Sequence, residues 1–253
     1  MIVGLVCARK DSSFRGKNLL KLGGKTLIEI AMFKARATCD RVIVSSDYPL
    51  SSIDIGDDTY IKRPLGLAGP RVPKWDVWKH AAGEVDDVTA IVDIDVSRPL
   101  TTVEDITGTI EAWQDAHGWR PPVAAMWKRP ECECDIFEET GGNGCGMCLA
   151  HLDAPANRQD AWREWWGYGG IYIVGRHLFD EPSFHQWSHH THYHEIPRAH
   201  CFDIDDTLDW EIVQDQYARQ TPPRHSFLDH PRWCAVFTGM GCDCQTLAAG
   251  GCQ

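Results

Sequence analysis

The first 47 residues read as two short strands separated by one helix. Residues 1–6 and 41–47 are apolar runs of strand length, and the apolar residues between Leu27 and Ala37 recur at helical spacing. A strand, a helix and a second strand at this spacing predict a right-handed βαβ unit. That unit places the chain in the α/β class, with parallel strands in its sheet.

The loop after the first strand is basic and contains glycine. Residues 7–19 include Arg9, Lys10, Gly16 and Lys17. A small loop of this kind, between a strand and a helix, is how α/β folds present backbone N–H groups to a nucleotide's phosphates. Neither the P-loop pattern nor Gly-x-Gly-x-x-Gly occurs here. The loop is therefore a candidate phosphate site, and a solvated connection is the alternative.

Size and charge limit the possible functions. The 253 residues suffice for one large α/β domain, or for one domain with a small inserted element. A net charge of -11 argues against a nucleic-acid surface, so an anionic ligand needs a local cluster of Arg and Lys. No apolar run approaches bilayer length, and residues 1–6 lack the basic flank of a signal peptide. We expect a soluble, cytoplasmic protein that crosses no membrane.

Further elements follow along the chain. Strands are predicted at residues 59–62, 88–96, 123–126, 169–174 and 199–204, and helices at residues 75–82, after Thr101 or Thr102, at 177–180 and from Asp206. Either threonine can cap its helix because Glu104 and Asp105 fall in the first turn. Ligands of parallel sheets gather where strands end, and Ser45, Ser46 and Asp47 lie at such an end.

Six segments together resemble one family, the CMP-sialic acid synthetases (acylneuraminate cytidylyltransferases) and their sugar-nucleotide relatives. They are Ala8-Arg9 with residues 16–19, residues 41–47, Arg63-Pro64 with Leu67-Ala68, residues 97–106, residues 203–206 and, more weakly, residues 169–173. Their order and spacing match the family from Ile2 to about Gln216. The combination is specific, although no single segment is.

The resemblance implies a fold and a reaction. The fold is a Rossmann-like nucleotidyltransferase of the nucleotide-diphospho-sugar transferase type, with a mostly parallel mixed sheet and an inserted dimerisation arm. The reaction is Mg²⁺-dependent transfer of CMP from CTP to an acidic sugar, carried out by a homodimer with release of pyrophosphate. We expect a cytidylyltransferase domain at residues 1–220, with a Cys-rich arm at about 128–168, and a Cys- and Gly-rich extension at 221–253.

The resemblance also assigns roles to residues. Arg9 and Lys17 would hold the CTP phosphates, under a loop of residues 10–16 that closes over them. The other expected nucleotide contacts are Ala8, Ser12, Asn18, Arg63 and, at the base, Asp95. Asp203 and Asp205 match the family's metal-binding carboxylates. On a strand, two aspartates at i and i+2 project to the same face and suit Mg²⁺; capping of the last helix is the alternative.

The chain departs from the family pattern in places. Asp11 would oppose a triphosphate, although Arg15 restores a positive charge. Asp95 stands where the family usually has Gln, and its carboxylate could accept a hydrogen bond from the cytosine amino group. These departures suggest a different acceptor, so a phosphonate or another non-sialic acceptor is an alternative. A non-catalytic nucleotide-binding relative is another.

Cysteines and histidines in the second half could bind metal. Cys132, Cys134, Cys145 and Cys148 form two close pairs that could hold a structural Zn²⁺, with reduced cysteines in a flexible arm as the alternative. Adjacent histidines diverge on a strand, so residues 189–194 are predicted to be a polar exposed loop rather than a metal site.

Overall fold

The predicted βαβ unit is present at the centre of the fold. The computed structural model describes residues 1–10, 14, 16–116, 121–129, 137–139, 147–149, 165–181 and 191–220. Its elements are, in chain order, β1 (Ile2–Ala8), β2 (Lys21–Leu22), β3 (Lys25–Thr26), α1 (Leu27–Thr38), β4 (Arg41–Ser46), β5 (Thr59–Lys62), α2 (Lys74–Gly83), β6 (Ala90–Ile94), α3 (Val103–Asp115), β7 (Val123–Arg129), β8 (Phe137–Glu139), β9 (Met147–Leu149), β10 (Trp165–Gly175), β11 (His192–Glu195) and α4 (Thr207–Gln220).

Seven of these strands form one mixed sheet, in the order β11-β7-β10-β6-β1-β4-β5. Strands β6, β1, β4 and β5 are mutually parallel, and β11 is parallel to β7. Strand β10 runs antiparallel to both of its neighbours. The expected Rossmann-like, mostly parallel mixed sheet is thus confirmed.

Helices cover both faces of the sheet. On one face α1 and α3 pack through apolar side chains that include Ile106, Ile110 and Trp113, the stripe predicted for α3. On the other face α2 contributes Trp75 and Trp78, and the Trp78 ring stacks 4.8 Å from that of Tyr172. Both faces of the parallel strands are therefore buried, as such sheets require.

Local signals decide where the first elements begin. Gly23 and Gly24 have φ values of 58° and 86° and turn β2 into β3, a conformation that costs glycine least. Helix α1 begins at a capping box between Thr26 and Glu29. For α3 the sequence left two capping threonines open, and Thr102 is the one that accepts the N–H of Asp105.

The strand predicted at residues 199–204 is wrong. Residues Arg198–His200 form a 3₁₀ turn after Pro197, and residues 201–204 are irregular. The N–H groups of His200 and Cys201 donate to the carbonyls of Pro197 and Arg198. They are therefore bonded within the turn and not to a neighbouring strand. The sheet instead gains β11, which begins at His192 inside the predicted loop at residues 189–194 and ends at Glu195.

Several predictions fall outside the described residues. They concern the side chains of Cys132, Cys134, Cys145 and Cys148, most of the arm at 128–168, and the extension at 221–253. Within the described part of the chain, no helix combines the length and the apolar character needed to cross a membrane.

Candidate active site

A cavity of about 260 Å³ opens where β1, β4, β5 and β6 end. This first cavity is lined by six of the residues that the sequence assigned to a site, namely Arg9, Lys17, Asn18, Arg63, Asp95 and Asp205. Ala8 is buried at the end of β1 and is not among the lining residues. Ser12, Asp11 and Arg15 lie outside the described residues.

Three cations of the first cavity donate to carbonyl oxygens, and one of them, Lys17, also pairs with the Asp205 carboxylate. The Arg9 guanidinium donates to the Gly69 carbonyl at 2.9 Å, and its buried Nε has no hydrogen-bonding partner among the described residues. The Lys17 ammonium donates to the Ile204 carbonyl at 2.6 Å. Buried Arg63 donates to the Ser45 carbonyl at 2.8 Å. The carbonyl partners of Arg9 and Arg63 fix these side chains without cancelling their charge, so the cavity is suited to an anion.

The phosphate-loop candidate is anchored at both ends. Asp47 accepts the backbone N–H of Lys10 at 2.7 Å, and the amide of buried Asn18 donates to the Arg9 carbonyl at 2.8 Å. Gly16 has a φ of 74°, in the left-handed region that glycine adopts readily. These hydrogen bonds fix the backbone on both sides of the loop, beside the first cavity.

Lys74 is a cavity residue that the sequence did not reveal. It opens α2, and its ammonium donates to Asp93 at 3.0 Å and to Asp95 at 2.7 Å. Burial alone would lower the pKa of Lys74, but the two carboxylates outweigh it and hold that pKa well above its usual value. Lys74 and Asp95 lie 21 positions apart, so no local sequence pattern indicates that they are in contact.

The two carboxylates beside Lys74 differ in the direction in which their pKa is shifted. Burial raises the pKa of Asp93, whose side chain is fully buried on β6. Burial acts on Asp95 in the same direction, but the Lys74 ammonium outweighs it and the pKa of Asp95 is held below its usual value. Asp95 also accepts the backbone N–H and the hydroxyl of Ser97. The predicted base contact is therefore already engaged by protein groups, and Lys74 is its strongest partner.

Asp203 and Asp205 border a second cavity of about 270 Å³. Asp205 also lines the first cavity, where the Lys17 ammonium lies 3.2 Å from its carboxylate. Arg98 donates to Asp203 at 2.8 Å and also to the Cys201 carbonyl. The two aspartates lie in the irregular segment and not on a strand, so tertiary ion pairs position them.

Helix α4 is capped by the side chains of Asp206 and Asp209, and not by those of Asp203 or Asp205. Asp209 accepts the backbone N–H groups of Asp205 and Asp206, while Asp206 accepts that of Asp209. This reciprocal cap begins α4. The Asp205 carboxylate pairs instead with Lys17.

A glycine makes room for Arg98. Gly170 has a φ of 87°, and a Cβ atom built there would lie 2.3 Å from Cδ of Arg98. The Arg98 guanidinium lies 5.4 Å from the centre of the Tyr168 ring. The Gly-Gly pair at 169–170, which the resemblance marked only weakly, thus matters because the Arg98 side chain lies across it.

The second cavity also contains a cation that the sequence did not single out. The Arg198 guanidinium lies 4.7 Å from the centre of the Trp127 ring, and both residues line this cavity. Stacking holds a guanidinium in place and leaves its N–H groups open to an anion. The signal was absent from the sequence because Trp127 and Arg198 meet only when β11 pairs with β7.

Asp203 is suited to binding a divalent cation. Its Oδ1 is buried without a hydrogen-bonding partner among the described residues, and burial raises its pKa despite the nearby Arg98. Among those residues no group of three or more His, Cys, Asp or Glu could hold a metal ion. A pair of carboxylates nevertheless fits Mg²⁺, which usually takes one or two from the protein and its other ligands from phosphates and water.

One protein family matches the start of the chain. Residues 3–52 match the family described as Cytidylyltransferase. This range contains β1, the loop with Arg9 and Lys17, α1 and β4. No curated protein is significantly similar to the chain in sequence.

Several solved structures share the fold. A CMP:2-keto-3-deoxy-manno-octonic acid synthetase complexed with CTP superposes with a TM-score of 0.64 at 16% identity, over 87% of this chain and 99% of that one. The 4-diphosphocytidyl-2C-methyl-D-erythritolsynthase from Anaerococcus prevotii gives 0.53 at 12%, over 85% and 94%. Rv0371c from Mycobacterium tuberculosis, in complex with manganese, gives 0.54 at 14%, over 85% and 98%. At such identities the likeness shows the fold alone, and the family match covers residues 3–52.

Proposed function

We propose that the chain transfers CMP from CTP to an acidic sugar of the sialic acid type and releases pyrophosphate. The observation that carries the proposal is the position of Asp205, which lines both cavities. The first cavity offers Arg9 and Lys17 to an anion, and the second offers Arg198. A group between them can meet a nucleotide on one side and an acceptor on the other.

The nucleotide belongs in the first cavity. Phosphoryl-type transfer asks the protein mainly for positioning and charge neutralisation. Arg9 and Arg63 are held by carbonyl oxygens and keep their charge for the triphosphate. Lys17 would exchange its Asp205 partner for a phosphate oxygen. The loop with Ser12, between the fixed ends at Lys10 and Gly16, would cover the phosphates.

Asp203 and Asp205 would hold Mg²⁺. The ion, when bound, neutralises charge on the phosphate oxygens. The structural support is the unpartnered buried Oδ1 of Asp203 and the position of Asp205 between the cavities. Structural zinc on Cys132, Cys134, Cys145 and Cys148 stays a prediction.

The acceptor belongs in the second cavity. Arg198 supplies a cation for its acidic group, and the Trp127 ring that supports this cation forms an apolar wall. An oxygen of the acceptor attacks the α-phosphorus, the bond from that phosphorus to the bridging oxygen breaks, and pyrophosphate departs. The proton of the attacking hydroxyl passes to water or to one of the two carboxylates.

We further propose that the enzyme is a cytoplasmic homodimer. The described cysteines Cys7, Cys39 and Cys201 are free thiols, as expected in a reducing compartment. The arm at residues 128–168 would supply the dimer contacts. Light scattering on the full chain measures the mass of the assembly directly.

Pyrophosphate release tests the function. The full chain with Mg²⁺ is mixed with CTP, UTP, ATP or GTP and with a panel of sialic acids, other acidic sugars and phosphonates. We expect release with CTP and an acidic sugar. Release with CTP and a phosphonate alone would replace the acceptor, and preference for another nucleotide would overturn the cytidylyl assignment.

A further inference from the structure

Lys74 differs from Arg9 and Arg63 of the first cavity in its partners. Arg9 and Arg63 are held by carbonyl or hydroxyl oxygens. The Lys74 ammonium is held by two carboxylates, those of Asp93 and Asp95. With two negative groups within 3.0 Å of it, Lys74 adds little net attraction for a triphosphate. It remains a directional hydrogen-bond donor.

The Lys74 ammonium has one donor that is bonded to no oxygen acceptor among the described residues, and the centre of the Tyr168 ring lies 5.9 Å away. An ammonium group carries three N–H bonds, and two of them are directed to Asp93 and Asp95. The side chain is 33% exposed and lines the first cavity, so a ligand there can accept the third. The two carboxylates hold the pKa of Lys74 well above its usual value, so the ammonium stays protonated.

The same wall offers an acceptor beside this donor. Asp95 lines the first cavity, and each carboxylate oxygen has lone pairs beyond those used by Lys74 and Ser97. Apolar side chains complete the cavity, among them Leu67, Val72 and Val77. A flat heterocycle fits such walls, with its polar edge toward Lys74 and Asp95.

We propose that Lys74 determines nucleobase specificity by donating to the N3 and O2 edge of cytosine while Asp95 accepts from the 4-amino group. The inference rests on the function proposed above. Cytosine presents a donor at position 4, where uracil presents a carbonyl acceptor that would face the Asp95 carboxylate. Uracil also carries a proton on N3, which the Lys74 ammonium would oppose. The Lys74–Asp95 pair is thus complementary to cytosine and not to uracil.

Equilibrium binding without an acceptor tests this role. Isothermal titration of the full chain with Mg²⁺ and either CTP or UTP gives two dissociation constants and their ratio. For Lys74→Met we expect CTP binding to weaken tenfold or more, the scale of one lost charge-assisted hydrogen bond. UTP binding should change less, so the CTP preference shrinks. Lys79→Met, which removes an exposed lysine one turn along α2, should leave both constants unchanged.

Additional variants separate recognition from folding. Lys74→Met leaves Asp93 buried without its cation, so Asp93→Asn alone and combined with Lys74→Met are measured too. Asp93 does not line the first cavity, and its single variant should keep the CTP preference. Wild-type protein with 2-thiocytidine triphosphate, a poor acceptor at position 2, should bind several-fold more weakly than with CTP.

The outcomes distinguish this inference from the proposed function. If wild-type protein binds no nucleotide, both fail. If it prefers CTP and Lys74→Met keeps that preference, the function stands and Lys74 is only a structural partner of Asp93. If Lys74→Met changes the Michaelis constant of the acceptor and leaves CTP binding intact, Lys74 belongs to the acceptor side and the inference is overturned.

Discussion

The two cavities are built in different ways. Carbonyl oxygens hold Arg9 and Arg63 in the first, where strands of the central sheet end. Two carboxylates of the second cavity, Asp203 and Asp205, belong to an irregular segment and pair with cations, Asp203 with Arg98 and Asp205 with Lys17. The first cavity is therefore ready for an anion, whereas these two carboxylates would have to loosen their ion pairs to hold the proposed Mg²⁺.

This difference suggests an order of events. Lys17 contributes to both cavities, since it donates to the Ile204 carbonyl and to Asp205. In the proposed reaction, a triphosphate that attracts the Lys17 ammonium would weaken its pairing with Asp205, so nucleotide binding would precede binding of Mg²⁺.

The largest effect is expected at Asp205, which lines both cavities. Asp205→Asn keeps the size of the side chain and removes its charge, so turnover should fall about a hundredfold or more. Pyrophosphate release at saturating CTP and Mg²⁺ measures it. Asp215→Asn, at an exposed aspartate of α4 paired with Arg219, is the matched control and should retain full activity. An active Asp205→Asn would remove the metal role from Asp205.

Loss of Lys17 should act mainly on the nucleotide. Lys17→Met removes a charge-assisted bond to phosphate worth about 1.5–3 kcal/mol, so CTP should bind roughly ten- to a hundredfold more weakly. Titration calorimetry measures the dissociation constant. Lys21→Met, at an exposed lysine of β2, serves as the control. Equal affinities for wild-type protein and Lys17→Met would show that the cations of the first cavity do not bind the triphosphate.

The same contrast explains what could be predicted from the sequence. Arg9 and Lys17 follow a buried strand directly, so local pattern and resemblance both find them. The first strands and α1 were predicted correctly because apolar periodicity is a local signal. Of these elements, β1 contributes Cys7 to the wall of the first cavity.

The second cavity depends on contacts between distant residues. Ala199, Cys201 and Ile204 imitate a strand pattern, but Pro197 begins a turn instead. Strand β11 was missed because it is an edge strand, paired with β7 alone, and its side chains are mostly exposed. Arg98 and Asp203, 105 positions apart, carry no shared local signal.

Arg98 tests whether ion pairs hold the second cavity. Arg98→Met removes the bonds to Asp203 and to the Cys201 carbonyl. We expect faster amide hydrogen exchange in residues 201–206 and little change in β1, with stability lowered by about 1–3 kcal/mol. Mass spectrometry of exchange resolves the two regions. Arg41→Met, at an exposed arginine bonded to Thr59, is the control. Uniformly faster exchange would mean that the two cavities do not differ in this way.

The smallest effect concerns Lys34 of α1, which is bonded to the loop between β6 and α3. Its ammonium donates to the Pro99 carbonyl and the Thr101 hydroxyl, and burial lowers its pKa to about 7, with Asp105 opposing the shift. Unlike Lys74, it has no carboxylate within hydrogen-bonding distance among the described residues.

The sign of the Lys34 effect on stability follows from proton binding. Between pH 7 and the usual pKa of 10.5, the unfolded chain keeps a proton that the folded protein releases. Stability should therefore rise with pH above 7, by at most about 1.4 kcal/mol per pH unit. Urea unfolding at pH 6, 7, 8 and 9 measures it, and Lys34→Met should lack this increment while Lys25→Met keeps it. Parallel curves for wild-type protein and Lys34→Met would mean that Lys34 stays charged, held by its two oxygen acceptors as firmly as Lys74 is by its carboxylates.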